Sequence, residues 1–156
     1  LAPWADVLYA CDAKWWQWHR GAPKFTGLKY ALQPQAAKWP GVQVLQKTGT
    51  DGLESAPTGL RTGNNSGFQA INLAVHLGAR RIVLLGYDMQ GGHWFGHHPD
   101  NSGPPFQLCL RRFQTLVAPL QARGVQVLNC TRKTALRCFP RVPLEQVFAA
   151  PEAVAS

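Results

Sequence analysis

One stretch, residues 62–89, has the pattern of a glycine-rich turn, a helix and a buried strand in direct succession, and it constrains the fold more than any other part of the chain. Residues 64–66 are helix-capping types that stand before an apolar run, so we predict a helix over 68–77. Gly78 predicts the end of this helix. The continuous apolar run 82–85 then predicts a buried strand of a parallel sheet.

Strand-like and helix-like segments alternate along the rest of the chain, which is typical of a parallel α/β sheet. We therefore predict a Rossmann-like three-layer α/β sandwich with a central, mainly parallel sheet. Residues 1–150 are expected to form it as a single domain, with a flexible tail at 151–156. The predicted strands are 6–11, 42–46, 82–85 and 125–129, and the predicted helices are 68–77 and 106–121.

Several segments between these elements have less regular patterns. The tryptophan-rich segment 14–18 is expected to form a short helix or a loop. Residues 47–63 are polar and rich in glycine, so we predict a surface loop there. Residues 90–105 form a long irregular segment of the kind that is often functional. Pro119 is expected to kink or shorten the last turn of the helix over 106–121.

The composition indicates a globular domain with an anionic partner. The chain has 156 residues, of which 46% are hydrophobic, and its apolar runs are too short to cross a membrane. Sixteen Lys and Arg against eight Asp and Glu give a net charge of +8, which favours an anionic partner such as a nucleotide, a nucleic acid or an anionic surface. The basic residues are dispersed rather than gathered in one tract, and this disfavours nucleic acid as the main partner.

The cysteine pattern indicates a reducing compartment. Cys11, Cys109, Cys130 and Cys138 show no C-x-x-C spacing, so we interpret them as reduced cysteines. The sequence also shows no signal peptide, which agrees with a cytoplasmic location. The first residue is Leu1 rather than Met, which suggests trimming or an upstream segment.

Histidines are concentrated in the run H-W-F-G-H-H-P-D, residues 93–100. Histidine is the side chain best suited to proton transfer near neutral pH, so His93, His97 and His98 are candidate catalytic residues. The same histidines with Asp100 could instead hold a divalent metal. The third alternative is a packed aromatic loop without chemistry.

Ligands of open α/β sheets lie beyond the carboxyl ends of the strands, and helix N-termini favour phosphate. Capped turns and core packing are the structural alternatives at these same positions. Because adjacent side chains of a strand point to opposite faces, one of Trp15 and Trp16 is expected to line a cleft or an oligomer interface. The candidate ligand-binding residues are Asp12, Trp15, Trp16, Asn64, Asn65, Ser66, Gly67, Gln69, Gly86, Tyr87, Asp88, Asn129, Thr131 and Arg132.

Four blocks of the sequence carry a family resemblance. The longest is S-G-F-Q-A-I-N-L-A-V-H-L-G-A-R-R-I-V-L-L-G-Y-D-M, and the others are A-D-V-L-Y-A-C-D-A-K-W-W, H-W-F-G-H-H-P and N-C-T-R-K-T-A-L. The longest block resembles the core signature of bacterial sialyltransferases of the CMP-sialic-acid type and of related 6-hydroxymethylpterin pyrophosphokinase-like proteins. The other blocks more closely resemble small phage-encoded proteins of the same superfamily. Together they cover about a third of the chain.

The resemblance implies a nucleotide site. Asp12 stands where the sialyltransferase pattern has Asn, and the histidines lie closer to the Gly-x-Asp motif than in that family. The phage group usually carries an upstream strand with a G-x-G-x-S-L-like turn, which this chain lacks at its beginning. The residues implicated are Ser66, Gly67, Gly86, Asp88 and Asp12 around the nucleotide, and one of His93, His97 or His98 as general base.

Three functions follow from the sequence. The first is a glycosyltransferase-like enzyme that binds a nucleotide or nucleotide-sugar and uses a loop histidine as acid or base. The second is a non-catalytic phage module that binds or sequesters a host signalling nucleotide in the host cytoplasm, an anti-defence role. The third is a metal-dependent hydrolase built on the histidine loop.

Overall fold

The computed structural model describes residues 2–91 and 105–148, and it shows a mixed α/β protein with short parallel sheets. The chain divides into two compact units, Leu1–Gly78 and Ala79–Ser156. The single domain predicted over residues 1–150 stays a prediction, and the tail predicted at 151–156 lies outside the described residues.

The first unit contains five strands and three helical segments within its described residues. The strands are β1 (Val7–Ala10), β2 (Leu28–Ala31), β3 (Val42–Val44), β4 (Gln46–Gly49) and β5 (Gly59–Arg61). The helical segments are α1 (Ala13–Trp18), a 3-10 helix (Pro34–Lys38) and α2 (Ser66–His76).

Parallel pairing joins these strands into two small sheets. β1, β2 and β3 form one sheet, with Ala10 opposite Ala31 and Ala31 opposite Val44. β4 pairs with β5 in the other. The strand predicted at 6–11 is confirmed as β1. The strand predicted at 42–46 is divided into β3 and β4, and between them Leu45 donates its N–H to the Ala31 carbonyl at 2.9 Å.

The core of the first unit lies against the three-stranded sheet. Trp16 is fully buried with Phe25, Ala31 and Ala36. The indole N–H of Trp16 donates to the Ala10 carbonyl at 2.9 Å, so its one polar atom is satisfied at the end of β1. A second cluster contains Tyr30, Leu45, Leu60 and Leu73.

The prediction of a surface loop at 47–63 is wrong, because this segment contains most of β4, all of β5 and the buried carboxylate of Glu54. Glu54 accepts hydrogen bonds from the Thr48 hydroxyl, from the N–H groups of Ser55 and Ala56, and from Arg61 Nε at 3.0 Å. These bonds, led by that of Thr48, lower the pKa of Glu54 to about 2. Part of the polar composition of this segment therefore belongs to a hydrogen-bond network around Glu54.

The N-terminus of α2 is capped as its sequence predicts. The Asn65 side-chain oxygen accepts from the N–H of Gly67 at 2.9 Å and of Phe68 at 3.2 Å. Gly63, just before the cap, has φ +51°, and a Cβ there would lie 2.2 Å from the Phe68 ring. Only glycine therefore allows the turn to close over this ring.

The second unit contains one parallel strand pair and three helices in the part that the structure describes. The strands are β6 (Arg81–Leu84) and β7 (Gln126–Asn129), with Arg81 opposite Gln126. Both were predicted from the sequence. The helices are α3 (Phe106–Gln114), α4 (Val117–Ala122) and α5 (Leu144–Phe148).

The single helix predicted over 106–121 is wrong, because α3 and α4 are separate. Pro119 has no N–H, and its ring clashes with the carbonyl four residues earlier, that of Thr115. The helix accordingly ends at Gln114, and Pro119 falls in the first turn of α4, where a missing N–H costs little. The Thr115 hydroxyl donates to the Arg112 carbonyl at 2.7 Å at this break.

Among the described residues, none of the helices combines the length and the apolar character that crossing a membrane requires.

Candidate functional site

In the first unit, polar side chains meet where β1 ends. Cys11 and Asp12 follow β1, Gln33 follows β2, and Ser66 begins α2. The Cys11 thiol donates to Asp12 Oδ2 at 3.2 Å, and its sulfur lies 3.4 Å from Ser66 Oγ. Gln33 donates to Asp12 Oδ1 at 3.4 Å and accepts from Ala13 N–H at 2.8 Å. The fold therefore brings the predicted residues Asp12 and Ser66 together, with both side chains exposed.

Cys11 and Gln33 belong to this cluster although neither was predicted as a site residue. Burial raises the pKa of the Cys11 thiol to about 11, so at neutral pH it is a protonated hydrogen-bonding group and not a thiolate nucleophile. A polar cysteine environment cannot be recognised from spacing, because Ser66 is 55 residues away in the sequence.

The capping of α2 leaves fewer backbone N–H donors available to a phosphate than the sequence implied. The Asn65 side chain already accepts from Gly67 and Phe68, which are donors that an anion at this helix terminus would otherwise take. Asn64 is exposed at φ +50°, and its side-chain oxygen accepts from the Thr62 hydroxyl at 3.1 Å. The structural alternative, a capped turn, therefore accounts for these contacts.

Gln69 is a buried structural residue and not an exposed ligand contact. Its side chain is 4% exposed, accepts from the Tyr9 hydroxyl at 2.7 Å and donates to the Thr62 carbonyl at 3.0 Å. Burial is also the largest cause that raises the pKa of Tyr9. The two hydrogen bonds of the Gln69 amide thus connect the turn that precedes α2 with strand β1.

The two predicted tryptophans differ in accessibility. They lie on helix α1, and the alternation expected of a strand does not apply to them. Trp16 is 0% exposed, so it has no free face on which a base could stack. Trp15 is half-buried. Its ring packs edge-on to that of Trp16, with 5.1 Å between the ring centroids, and its centroid lies 4.2 Å from that of the His19 ring. Only Trp15 of this pair retains surface for a ligand.

The second unit contains a large cleft at the carboxyl ends of β6 and β7. Its volume is about 1120 Å³, and it is lined by the ends of both strands and by the segments that follow β7. This is the edge of a parallel sheet at which α/β proteins bind ligands. The charged lining residues are Asp88, Arg132, Lys133, Arg141 and Glu145. Gly86, which has no side chain, also lines the cleft.

Cations outnumber acids in this cleft. Arg132, Lys133 and Arg141 face two acids, Asp88 and Glu145, and none of the five forms a salt bridge within the described residues. The sequence has no acidic residue from 101 to 144. Arg141 donates through Nη2 to the Arg132 carbonyl at 3.0 Å, which holds two of the cationic residues next to each other. The arrangement suits a phosphate or carboxylate, to which arginine binds with paired N–H donors.

Three of the predicted ligand-binding residues, Asn129, Thr131 and Tyr87, are held by contacts within the fold, and Asn129 and Thr131 also line this cleft. Asn129, 1% exposed, donates to the Leu136 carbonyl at 3.1 Å and accepts from Thr131 N–H at 3.1 Å. Thr131 in turn accepts from Tyr87 N–H at 3.0 Å. The Tyr87 ring packs edge-on to the Phe113 ring, with 6.1 Å between the ring centroids. Burial raises the pKa of Tyr87 to about 12. These side chains shape the loops, whereas Gly86, Asp88 and Arg132 are exposed.

The predicted catalytic residues His93, His97 and His98 lie outside the described residues, as does Asp100. In the ranges that the structure does describe, no group of three or more His, Cys, Asp or Glu is placed to hold a metal ion. The metal-dependent alternative, which the sequence places on residues 93–100, stays a prediction.

Comparison of the chain with protein-family models, with curated proteins and with solved structures finds no match. The fold and the site define a mixed α/β protein with a basic cleft at the ends of parallel strands.

Proposed function

We propose that this protein binds a nucleotide or nucleotide-sugar in the cleft of its second unit and acts on it as a glycosyltransferase-like enzyme. The basic cleft beyond β6 and β7 is the observation that carries the proposal. The proposal includes a Rossmann-like three-layer arrangement, a phage origin and a cytoplasmic location, which is the host cytoplasm for a phage protein.

The size and charge of the cleft support a ligand of this class. Pockets for small molecules and cofactors are usually about 300–1,000 Å³, and the cleft reaches that scale. Arg132, Lys133 and Arg141 offer donors for phosphate. Asp88 is exposed at the end of β6, where a carboxylate can accept hydrogen bonds from sugar hydroxyls. A ligand with an anionic part and a hydroxylated part satisfies both sets of groups.

The resemblance to sialyltransferases and their phage relatives adds the reaction class. It implies that Gly86 and Asp88 contact the nucleotide and that one of His93, His97 or His98 is the general base. Transfer then requires a nucleotide-sugar donor and an acceptor hydroxyl, from which the histidine takes the proton.

Binding is tested first by calorimetric titration with CMP, UDP, UDP-glucose and inorganic pyrophosphate. Arg132→Ala is the test variant, and Arg111→Ala, which removes an exposed cation from α3, is the matched control. We expect binding that weakens about tenfold in Arg132→Ala, the factor given by loss of about 1.4 kcal/mol, and is unchanged in Arg111→Ala. Equal affinity in both variants would place the ligand elsewhere, and no binding by wild type to any of these compounds would refute the proposal.

Turnover is tested by incubating the protein with CMP-sialic acid or UDP-glucose and following release of CMP or UDP. Loss of release in His93→Ala or His97→Ala, with nucleotide affinity retained, is the result expected of a general base. Unchanged release in both variants would remove these two histidines from the mechanism.

A non-catalytic nucleotide-binding module is the second candidate. It is favoured by the exposed cations of the cleft, Arg132, Lys133 and Arg141, because these side chains can hold a phosphate without taking part in acid–base chemistry. A bound nucleotide recovered intact after prolonged incubation identifies the binding module, and a chemically changed nucleotide eliminates it.

A further inference from the structure

We infer that Thr134 is a positioning residue for the proposed anion site, because it connects the two strand-end segments that present Asp88, Arg132 and Lys133 to the cleft. This inference rests on the proposed function. The segments are residues 86–88, after β6, and residues 129–136, which begin at the end of β7.

Both backbone groups of Tyr87 are held by threonine side chains of the other segment. Thr134 Oγ1 donates to the Tyr87 carbonyl at 2.5 Å, and the Tyr87 N–H donates to Thr131 Oγ1 at 3.0 Å. One residue further on, Ala135 N–H donates to the Asp88 carbonyl at 2.8 Å. The backbone that presents the Asp88 carboxylate is therefore fixed to the segment that carries the cations.

The cationic segment is closed by its own buried polar groups. Thr134 Oγ1 also accepts from Leu136 N–H at 2.9 Å, and the Asn129 amide spans the segment by bonding to Thr131 and Leu136. Thr131 and Thr134 are 6% and 3% exposed, whereas Arg132 and Lys133 between them are exposed. Two cations thus stand at the tip of a turn that is held on both sides.

Such bracing matters for affinity because a fixed charge loses less conformational freedom when an anion binds. Thr134 is too deeply buried to be an anion ligand itself, so its effect passes through Tyr87, Asp88 and the Arg132–Lys133 tip. One hydroxyl serves both segments, as donor to one and acceptor from the other. Removing it frees the tip and the Asp88 backbone at the same time.

The test compares Thr134→Val, which keeps the shape and removes the hydroxyl, with Thr134→Ser, which keeps the hydroxyl. Inorganic pyrophosphate is the calorimetric probe, and amide hydrogen exchange over residues 86–91 reports the bracing without a ligand. We expect about tenfold weaker pyrophosphate binding in Thr134→Val, equivalent to about 1.4 kcal/mol, with faster exchange. Thr134→Ser should restore both to wild-type values. Circular dichroism verifies that each variant is folded.

The outcomes separate this inference from the proposed function. If wild type and Thr134→Val bind pyrophosphate equally, Thr134 has no positioning role, and the anion site stands. If Thr134→Ser binds as weakly as Thr134→Val, the hydroxyl is not responsible and the inference is overturned. If wild type binds neither pyrophosphate nor any of the nucleotides, the proposed function fails and the positioning role fails with it.

Discussion

Replacing Glu54 with glutamine tests whether the buried carboxylate network stabilises the first unit. The carboxylate accepts from Thr48, from two backbone N–H groups and from Arg61. Each carboxylate oxygen accepts from two of these donors, so the amide NH₂ that replaces one oxygen in Glu54→Gln leaves two donors without their acceptor, and the remaining bonds lose the charge. Hydrogen bonds to charged groups contribute about 1.5–3 kcal/mol and neutral ones about 0.5–1.5 kcal/mol. We expect the free energy of unfolding to fall by about 3 kcal/mol at pH 7.

The pH dependence makes this prediction specific to the charge. The folded-state pKa of Glu54 is about 2, below its ordinary value of 4.5, so the contribution is present above about pH 4.5 and is lost as the pH falls toward 2. The difference in stability between wild type and Glu54→Gln should therefore shrink between pH 5 and pH 3. Urea unfolding followed by tryptophan fluorescence measures it at both pH values.

The control is Asp6→Asn, which removes an exposed acid from the same unit. We expect a change of less than about 0.5 kcal/mol. A Glu54→Gln effect that is equally large at pH 7 and pH 3 would refute the reasoning, because it would mean that the pKa of Glu54 does not differ between the folded and unfolded states.

Further predictions concern the turn before α2 and the Cys11 thiol. Gly63→Ala should lower the free energy of unfolding by about 3 kcal/mol or more, because it adds a positive-φ cost of about 1–2 kcal/mol to the collision with Phe68. In the control Gly41→Ala, φ is +75° but no atom lies within 4 Å of the new Cβ, so the free energy of unfolding should fall only by the positive-φ cost. Equal decreases for Gly63→Ala and Gly41→Ala in urea unfolding would contradict this prediction. Asn65→Ala should destabilise by about 1 kcal/mol and Asn65→Asp by much less, since only the aspartate keeps a capping oxygen; thermal unfolding measures both. Cys11, with its pKa near 11, should react with iodoacetamide about a hundredfold more slowly at pH 8 than an unperturbed thiol, and peptide mass spectrometry that showed equal rates would contradict the burial of this group.

Local patterns were sufficient for the elements whose signals lie close together in the sequence. The Asn65 cap, the apolar run of β6 and the glycine after α2 lie within 22 residues of one another, and the structure confirms both elements. The same reasoning failed between residues 47 and 63, because β4 and β5 are only four and three residues long and carry polar side chains. Their strand conformation depends on pairing with each other and not on their composition.

The sequence indicated where several candidate site residues lie in the fold, but not which side chains they contact. Asp12, Ser66, Asp88 and Arg132 are exposed at strand ends or at a helix start, as the pattern indicated. Gln69 was predicted to contact a ligand, and it instead bonds to Tyr9, which is 60 residues away in the sequence. A polar side chain that braces a turn and one that binds a ligand look alike in a sequence, because the difference lies in partners distant along the chain.

The strand pairs described above are all parallel, and this has a consequence for how the chain folds. A parallel pair cannot be joined by a tight turn, so its strands must meet across a longer connection. β6 and β7, for example, align residues 81 and 126. Closing such loops costs chain entropy before any contact compensates for it, and folding slows as the sequence separation of contacts rises. We therefore expect α2, with its local cap, to acquire structure early, whereas the strand ends that present the charges of the cleft form only after the distant strands have met.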